Sequence, residues 1–310
     1  MTVLITARSF AQENPAPLAM LEEAGCRVVR LADIHDLPSM IHEADGIIAG
    51  LEPYTKELLA KAARLKIISR YGIGCDAIDL AAAKEAGIAV AVTPGANSDS
   101  VADLAMALML SAARHVPRMD AALRAGRQER PLGVEMWRKT LGVIGTGRIG
   151  KGVIRRASGF EMNVLCFDTY QDEEFARRHN ARYVDLDTLY RNADFITIHS
   201  PLTAETRGMI GKRELSLMKK TAVIVNTARG GIIDEDALAA ALAGGSPGAA
   251  ALDATEKEPP YDSPLCSLPN CILTPHAGAS TREASYAMGM MAARSLLDYL
   301  LTGKCENLAL

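Results

Sequence analysis

Three side chains with complementary chemistry follow successive apolar runs in the second half of the chain. Arg229 stands in Thr227-Ala228-Arg229-Gly230-Gly231, behind the run at 221–226. Glu258 opens Glu258-Pro259-Pro260, five residues beyond Asp253, which itself follows the run at 249–252. His276 stands in Thr274-Pro275-His276-Ala277-Gly278-Ala279, behind 271–273. Read as strands of a parallel sheet, these runs deliver all three groups to the carboxyl edge, where ligands of open α/β sheets bind. The trio suits reduction of a carbonyl. A proton must reach the oxygen as hydride reaches carbon, and histidine is the side chain that titrates nearest neutrality. A carboxylate beside it favours the imidazolium and fixes the ring. Arginine offers a planar pair of donors to a substrate carboxylate and stabilises charge on the reacting oxygen. Singly each residue has a bland reading: a structural histidine, a solvated arginine, a loop glutamate. Their shared placement behind successive strands joins them. His199 is read as supporting the nucleotide loop; His35, His42, His115 and His179 read as surface or packing residues.

Such chemistry needs a hydride source. Leu141-Gly142-Val143-Ile144-Gly145-Thr146-Gly147-Arg148-Ile149-Gly150 is an apolar run ending in Gly-x-Gly-x-x-Gly ahead of a helix-like segment. Gly145 permits the tight turn, Gly147 lets a diphosphate approach bare backbone, and Gly150 lets the helix pack close to its strand. The helix start adds free N–H groups and partial positive charge. In a chain with 25 glycines the motif alone is weak. It is strengthened by Asp168, 23 residues after Gly145 at the end of the next strand-like run, 164–167. An acid there holds ribose hydroxyls and repels a 2′-phosphate, which favours NAD over NADP.

The elements that must position these groups alternate along the whole chain. Strands are expected at 3–6, 27–31, 46–49, 65–69 and 88–92, with helices at 17–24, 37–43, 55–63 and 79–86 between them. This is the pattern of βαβ units and a parallel sheet. Thr93-Pro94-Gly95-Ala96-Asn97 is a candidate hinge. A helix from about 98 to 113 is apolar nearly all round, hence buried, its methionines read as core. A polar connection at 126–139 carries the only tryptophan, Trp137. A second α/β unit begins at 141, with strands at 195–199, 221–226, 249–252 and 271–273 and a helix at 234–242. A final amphipathic helix, 288–301, is expected to return to the first domain. The reading is α/β: a domain of residues 1–97 plus 285–310, and a dinucleotide domain of residues 98–284.

Composition excludes several classes. A net charge of −3 argues against a nucleic-acid surface. No apolar run reaches membrane-spanning length, and the amino terminus reads as a first strand rather than a signal peptide. Six scattered cysteines without a CxxC pair read as reduced thiols of a cytoplasmic protein. No metal-ligand spacing, Gly-x-Ser-x-Gly elbow or P-loop is present, so no metal is expected. The chain ends at Leu310, and no separate regulatory domain is expected.

Taken in order, Arg70-Tyr71-Gly72-Ile73-Gly74-Cys75-Asp76-Ala77-Ile78-Asp79, the stretch from Asn97 to Asp103, Lys139 to Gly150, Asn226 to Asp234, Leu252-Asp253, Glu258-Pro259-Pro260 and Thr274 to Thr281 resemble the D-2-hydroxyacid dehydrogenase family, and within it the short D-3-phosphoglycerate dehydrogenases. The resemblance implies two Rossmann-like or flavodoxin-like parallel-sheet domains with an interdomain cleft, usually in a homodimer. It implies that Arg229, Glu258 and His276 are catalytic. It assigns the NAD site to Ile73, Gly145, Gly147, Arg148, Ile149, Gly150, Asp168, Ser200, Pro201, Thr227, Ala228, Asp253, Gly278 and Ala279. It assigns the substrate, a small 2-hydroxy or 2-keto acid, to Arg70, Tyr71, Gly72 and Arg229. Phosphoglycerate dehydrogenases of this type often carry Arg-Ser where this chain has Ala49-Gly50, and Glu52 nearby would repel a phosphate. Asp103 stands where Glu is commoner, and Gln128 where an aromatic is common. Oxidation of 3-phosphoglycerate is the leading expectation, reduction of glyoxylate, hydroxypyruvate or a similar acid the alternative. An NADH-sensing corepressor-like binding protein is the rival from another class.

Overall fold

Apolar runs separated by helices assemble into two sheets, and every ladder between their strands is parallel. The computed structural model describes residues 1–309. It separates into two units, one made of Met1–Asn97 with the chain from Ala279 onward, the other of Ser98–Gly278. The strands are β1 (Thr2–Ile5), β2 (Arg27–Arg30), β3 (Gly46–Ala49), β4 (Ile67–Arg70), β5 (Ala89–Ala91), β6 (Thr140–Ile144), β7 (Asn163–Phe167), β8 (Ala181–Tyr183), β9 (Phe195–Ile198), β10 (Val223–Asn226), β11 (Ala249–Leu252) and β12 (Cys271–Leu273). The helices are α1 (Ala16–Glu23), α2 (Leu37–Met40), α3 (Lys56–Leu59), α4 (Leu80–Glu85), α5 (Ser98–Ala113), α6 (Val116–Arg124), α7 (Arg148–Ala157), α8 (Glu173–Arg178), α9 (Leu186–Asn192), α10 (Lys212–Leu217), α11 (Glu235–Ala243) and α12 (Arg282–Thr302).

The first unit orders its strands β2-β1-β3-β4-β5. Alternate side chains face opposite layers. Val3, Ile5, Ile48 and Ile67 join Met288, Ala292 and Leu296 of α12 in one core, while Leu4, Ile47, Ile68 and Val90 join Leu37, Ile41, Tyr54 and Leu59 in the other. Strands β3 and β4 are buried throughout, as central strands of a parallel sheet are. The carboxyl-terminal segment lies along β5, with the Val92 amide donating to the Asn307 carbonyl and the Ala309 amide to the Val90 carbonyl, which covers an open sheet edge.

The second unit orders its seven strands β12-β11-β10-β9-β6-β7-β8. Helix α5 buries Ala102, Ala105, Met106 and Met109 against this sheet, so its methionines are core.

Three expected elements differ. The helix at 37–43 splits into α2 and a 3-10 turn at Ile41–Glu43, since only Leu37 and Ile41 are anchored in the core. The helix at 55–63 is the single turn α3, capped by Thr55, whose hydroxyl accepts the Leu58 amide. The last helix begins at Arg282 rather than 288, because Thr281 caps it through the Ala284 amide at 3.0 Å. Helices α6 and α8–α10 and strand β8 had no counterpart in the sequence reading.

Candidate functional site

In the second unit the strand order reverses between β6 and β9, the place where doubly wound sheets open a crevice at their carboxyl ends. The glycine loop lies there. Gly145 has φ +92°, and a Cβ on it would come within 2.7 Å of the His199 carbonyl carbon. A Cβ on Gly150 would overlap the Gly145 carbonyl oxygen, so α7 meets the turn with no room for a side chain. Gly147 is the converse: it is exposed, and a Cβ there would meet nothing within 4 Å. The loop thus presents open backbone and the start of α7, with Arg148 exposed beside it and Ile149 packed on the core. Amide donors and free space together fit a diphosphate.

Asp168, directly after β7, accepts the Thr146 amide at 2.5 Å and the Thr146 hydroxyl at 3.1 Å on Oδ2, and the Tyr170 amide at 3.1 Å on Oδ1. Burial works against its charge, but these hydrogen bonds outweigh it and lower its pKa below the usual carboxylate value. A fixed anion at this point suits ribose hydroxyls. Thr146 is tied onward to the Tyr183 hydroxyl at 2.9 Å, which accepts the Asp172 amide at 3.0 Å. Thr146 and Tyr183 were not singled out by sequence reasoning; neither has a spacing signal.

The second cluster is built by loops after β10, β11 and β12. His276 Nδ1 lies 2.9 and 3.0 Å from the two oxygens of Glu258. His276 adopts φ +51°, and its own amide donates to the carbonyls of Asp253 and Thr274, each at 3.0 Å. The buried Asp253 accepts the Thr274 hydroxyl at 2.6 Å, the Ala277 amide at 2.7 Å and the Gly278 amide at 2.8 Å. Its carboxylate therefore shapes the loop carrying His276. Glu258 is exposed at the surface; desolvation raises its pKa, yet the His276 hydrogen bond and charge, the Thr255 amide and the Arg229 charge prevail and the net shift is downward. Arg229 Nη1 donates to the Ala228 carbonyl at 2.7 Å. Asn226, buried at the end of β10, clamps this turn by donating to the Arg229 carbonyl and accepting the Ala228 amide. A Cβ on Gly230 would overlap the Thr255 backbone, so that glycine lets the Arg229 loop run against the Glu258 loop. Neither Asn226 nor Thr255 was assigned a role from the sequence; for Asn226 the signal available was a polar residue closing an apolar strand, and Thr255 had none.

Of the remaining expected positions, Thr227 is buried with its hydroxyl 3.4 Å from His199 Nδ1, and His199 Nε2 is 2.9 Å from the Thr197 hydroxyl. Burial pushes the His199 pKa down to about 3, a neutral ring beneath the loop. Ser200 and Pro201 lead off β9, the Pro201 carbonyl accepting the Thr206 hydroxyl. Ala228 packs on the core of its sheet, Gly278 beside Val101. Ala279 packs on the core of the first unit.

In the first unit, residues 70–74 leave the end of β4. The buried Arg70 turns back into its own loop, with Nε donating to the Gly74 carbonyl at 3.0 Å and Nη1 to the carbonyls of Tyr71 and Ala49. Tyr71 ties the loop to α12 through the Ser285 hydroxyl and carbonyl. Gly72 has φ +142°, and Ile73 is exposed. Among the described residues no group of three or more His, Cys, Asp or Glu could hold a metal ion, and no helix is long and apolar enough to cross a membrane.

Comparison with known proteins agrees with this architecture. Residues 106–278 match the family described as D-isomer specific 2-hydroxyacid dehydrogenase, NAD binding domain. The chain is 46% identical over 296 residues to a D-3-phosphoglycerate dehydrogenase of Methanocaldococcus jannaschii, covering 94% of this chain and 56% of that protein. It thus spans about half the length of its phosphoglycerate dehydrogenase relatives. It is 44% identical over 261 residues to a hydroxypyruvate reductase of Thermotoga maritima, covering 82% of this chain and 84% of the relative. The structure of a D-lactate dehydrogenase from Aquifex aeolicus complexed with NAD and lactic acid superimposes with a TM-score of 0.85 at 29% identity, over 100% of this chain and 99% of the other. A glycine loop at the strand-order reversal, an acid closing β7 and likeness along nearly the whole chain lead to one assignment: this chain belongs to the D-isomer specific 2-hydroxyacid dehydrogenase family.

Proposed function

We propose that the chain interconverts a small D-2-hydroxy acid and its 2-keto acid with NAD. The observation that carries this reading is the His276–Glu258 pair, both carboxylate oxygens within 3.0 Å of Nδ1. A histidine held at Nδ1 by a carboxylate has its Nε2 available as the proton donor. When bound, NADH would supply the hydride for the carbonyl carbon. His276 Nε2 gives its proton to the carbonyl oxygen and ends as neutral imidazole, still donating to Glu258. Arg229 stabilises charge building on that oxygen and holds the substrate carboxylate. Gly147, Arg148 and Ile149 would hold the diphosphate on the turn that Gly145 and Gly150 shape, and Asp168 would hold the ribose. Residues 70–74 receive the acid end of the substrate.

The absence of a cation at Ala49-Gly50 and the presence of Glu52 favour an unphosphorylated acid such as hydroxypyruvate or glyoxylate. The likeness to phosphoglycerate dehydrogenases favours 3-phosphoglycerate as the second reading. The test is to mix the protein with NADH and, in turn, glyoxylate, hydroxypyruvate, pyruvate and 3-phosphohydroxypyruvate, and follow NADH absorbance. Decay with at least one acid is expected. Silence across the panel, with NADH still bound, would favour a binding protein.

A further inference from the structure

We propose that Glu52 determines substrate specificity: its Oε2 accepts a hydrogen bond from a hydroxyl at the far end of a small 2-keto acid, and its charge turns away a phosphorylated one. The proposal rests on the reading that residues 70–74 receive the substrate carboxylate.

In the order β2-β1-β3-β4-β5 the succession of strands reverses between β1 and β3, so the crevice of this sheet opens beyond the carboxyl ends of those two strands. Glu52 sits there and touches both. Its Oε1 accepts the Thr6 hydroxyl, just past β1, the Gly50 amide at 3.0 Å, just past β3, and the Tyr54 hydroxyl at 2.6 Å. Three donors on one oxygen fix the carboxylate. Tyr54 is fully buried and cannot swing away. Among the described residues none donates to Oε2. It lies over Gly50, where a Cβ would come within 2.6 Å of it and 3.2 Å of the Ala7 Cα and the Thr6 carbonyl oxygen. Gly50 is therefore the residue that lets Glu52 fold over this turn, and a side chain at position 50 would displace it.

A carboxylate with one oxygen saturated and the other open is a strong acceptor for O–H or N–H and repels a phosphate. Its neighbour in the sheet is the β4 loop. Ala49 pairs with Arg70 in register, and Arg70 Nη1 reaches the Ala49 carbonyl at 3.4 Å. The two loops thus offer contrasting ends. In the loop at 70–74 the Tyr71 and Gly72 amides are taken by the Ala49 and Arg70 carbonyls, while the Ile73 and Gly74 amides, in the loop that the Arg70 guanidinium braces, suit a carboxylate. Residues 50–52 carry a fixed acid, suited to a hydroxyl. A compact acid with a terminal hydroxyl, of the hydroxypyruvate kind, matches both; an acid ending in a phosphate matches one and is repelled by the other.

The test compares kcat/KM with NADH for hydroxypyruvate, pyruvate and 3-phosphohydroxypyruvate in the full chain, Glu52→Gln and Glu52→Ala. A charged acceptor for one hydroxyl is worth about tenfold or more in preference for hydroxypyruvate over pyruvate in the unaltered protein. In Glu52→Ala that ratio is expected to fall close to one. In Glu52→Gln, which keeps the shape and loses the charge, the phosphorylated acid is expected to gain about tenfold relative to hydroxypyruvate. If Glu52→Ala does not fold, as judged by circular dichroism, the Gln variant decides alone. Ratios in the variants equal to those of the unaltered protein would overturn the proposal and make Glu52 a loop brace, as would an unaltered protein that works best on 3-phosphohydroxypyruvate. Either result leaves the dehydrogenase reading standing. An unaltered protein inert toward all three acids would remove both.

Discussion

His276 combines a reactive ring with a backbone that most residues avoid. A non-glycine residue at φ +51° is strained by about 1–3 kcal/mol unless its surroundings hold it there. Here the surroundings are the Asp253 and Thr274 carbonyls, which take its amide, and the Asp253 carboxylate, which takes the amides that follow. Asparagine tolerates the same conformation, so His276→Asn removes the acid while keeping the loop. Turnover is expected to fall by about 10²–10⁴, with NADH affinity unchanged in a fluorescence titration. A variant within tenfold of normal turnover would remove His276 from the proton path. His199 allows a second prediction. Its ring titrates near 3 in the fold against an ordinary 6.5, because burial disfavours the charged form. Between those values the unfolded chain binds the extra proton, so stability falls as pH drops below 6.5, by at most about 1.4 kcal/mol per unit. Urea midpoints measured from pH 7 to 5 should slope less in His199→Asn; equal slopes would show that the ring is not the source. That Arg229, Glu258 and His276 meet at neighbouring strand ends was legible because their chemistry is distinctive. The service of Asp253 to the His276 loop was not, since nothing in an aspartate after a strand says which amides it will meet.

Single elements show the same division. The glycine loop was legible to the residue, because each glycine answers a separate steric demand, and those demands separate two substitutions. Gly147→Ala adds a methyl group into open space. The fold should tolerate it with little change in melting temperature, while NADH affinity drops by about tenfold or more as the methyl occupies the approach of the diphosphate. Gly150→Ala drives a Cβ into the Gly145 carbonyl, which neither α7 nor the turn can yield without separating. Its primary effect should be a lower melting temperature, by several degrees, since overpacking costs about 1–3 kcal/mol. Calorimetry with and without NADH distinguishes the two, and the reverse pattern would mean that the loop does not face the cofactor as argued. The short elements were less legible. Helix α3 is one turn, although Thr55 caps it as expected, because a cap fixes where a helix starts and not how far it runs. Strand β8 is an edge strand of three residues with no buried side chain, so it lacks the apolar run by which strands are found.

At the scale of the whole molecule, the informative feature is that the first unit is completed by sequence nearly 200 residues away from its last strand. Residues 1–97 supply five strands and short helices, but one face of that sheet is closed by α12. The return of the final helix was expected from its position after the second unit. Its packing partners were not readable, because they depend on where glycines thin the sheet and the facing helix. Gly46 in β3 lies under Leu296, whose Cδ1 would be 3.0 Å from a Cβ there, and Gly289 in α12 lies against Pro17 of α1 in the same way. Leu296 is fully buried, so Leu296→Ala opens a cavity that the backbone of β3 cannot fill and should cost about 2–5 kcal/mol. The cores of the two units are separate clusters of side chains. The loss should therefore be local. Native-state hydrogen exchange is expected to show faster opening of β1, β3 and β4, with β9, β10 and β11 protected as before. Equal acceleration in both sheets would mean that the two units unfold as a single cooperative block, and α12 would then have to be read as a brace for the entire chain instead of the missing wall of one sheet.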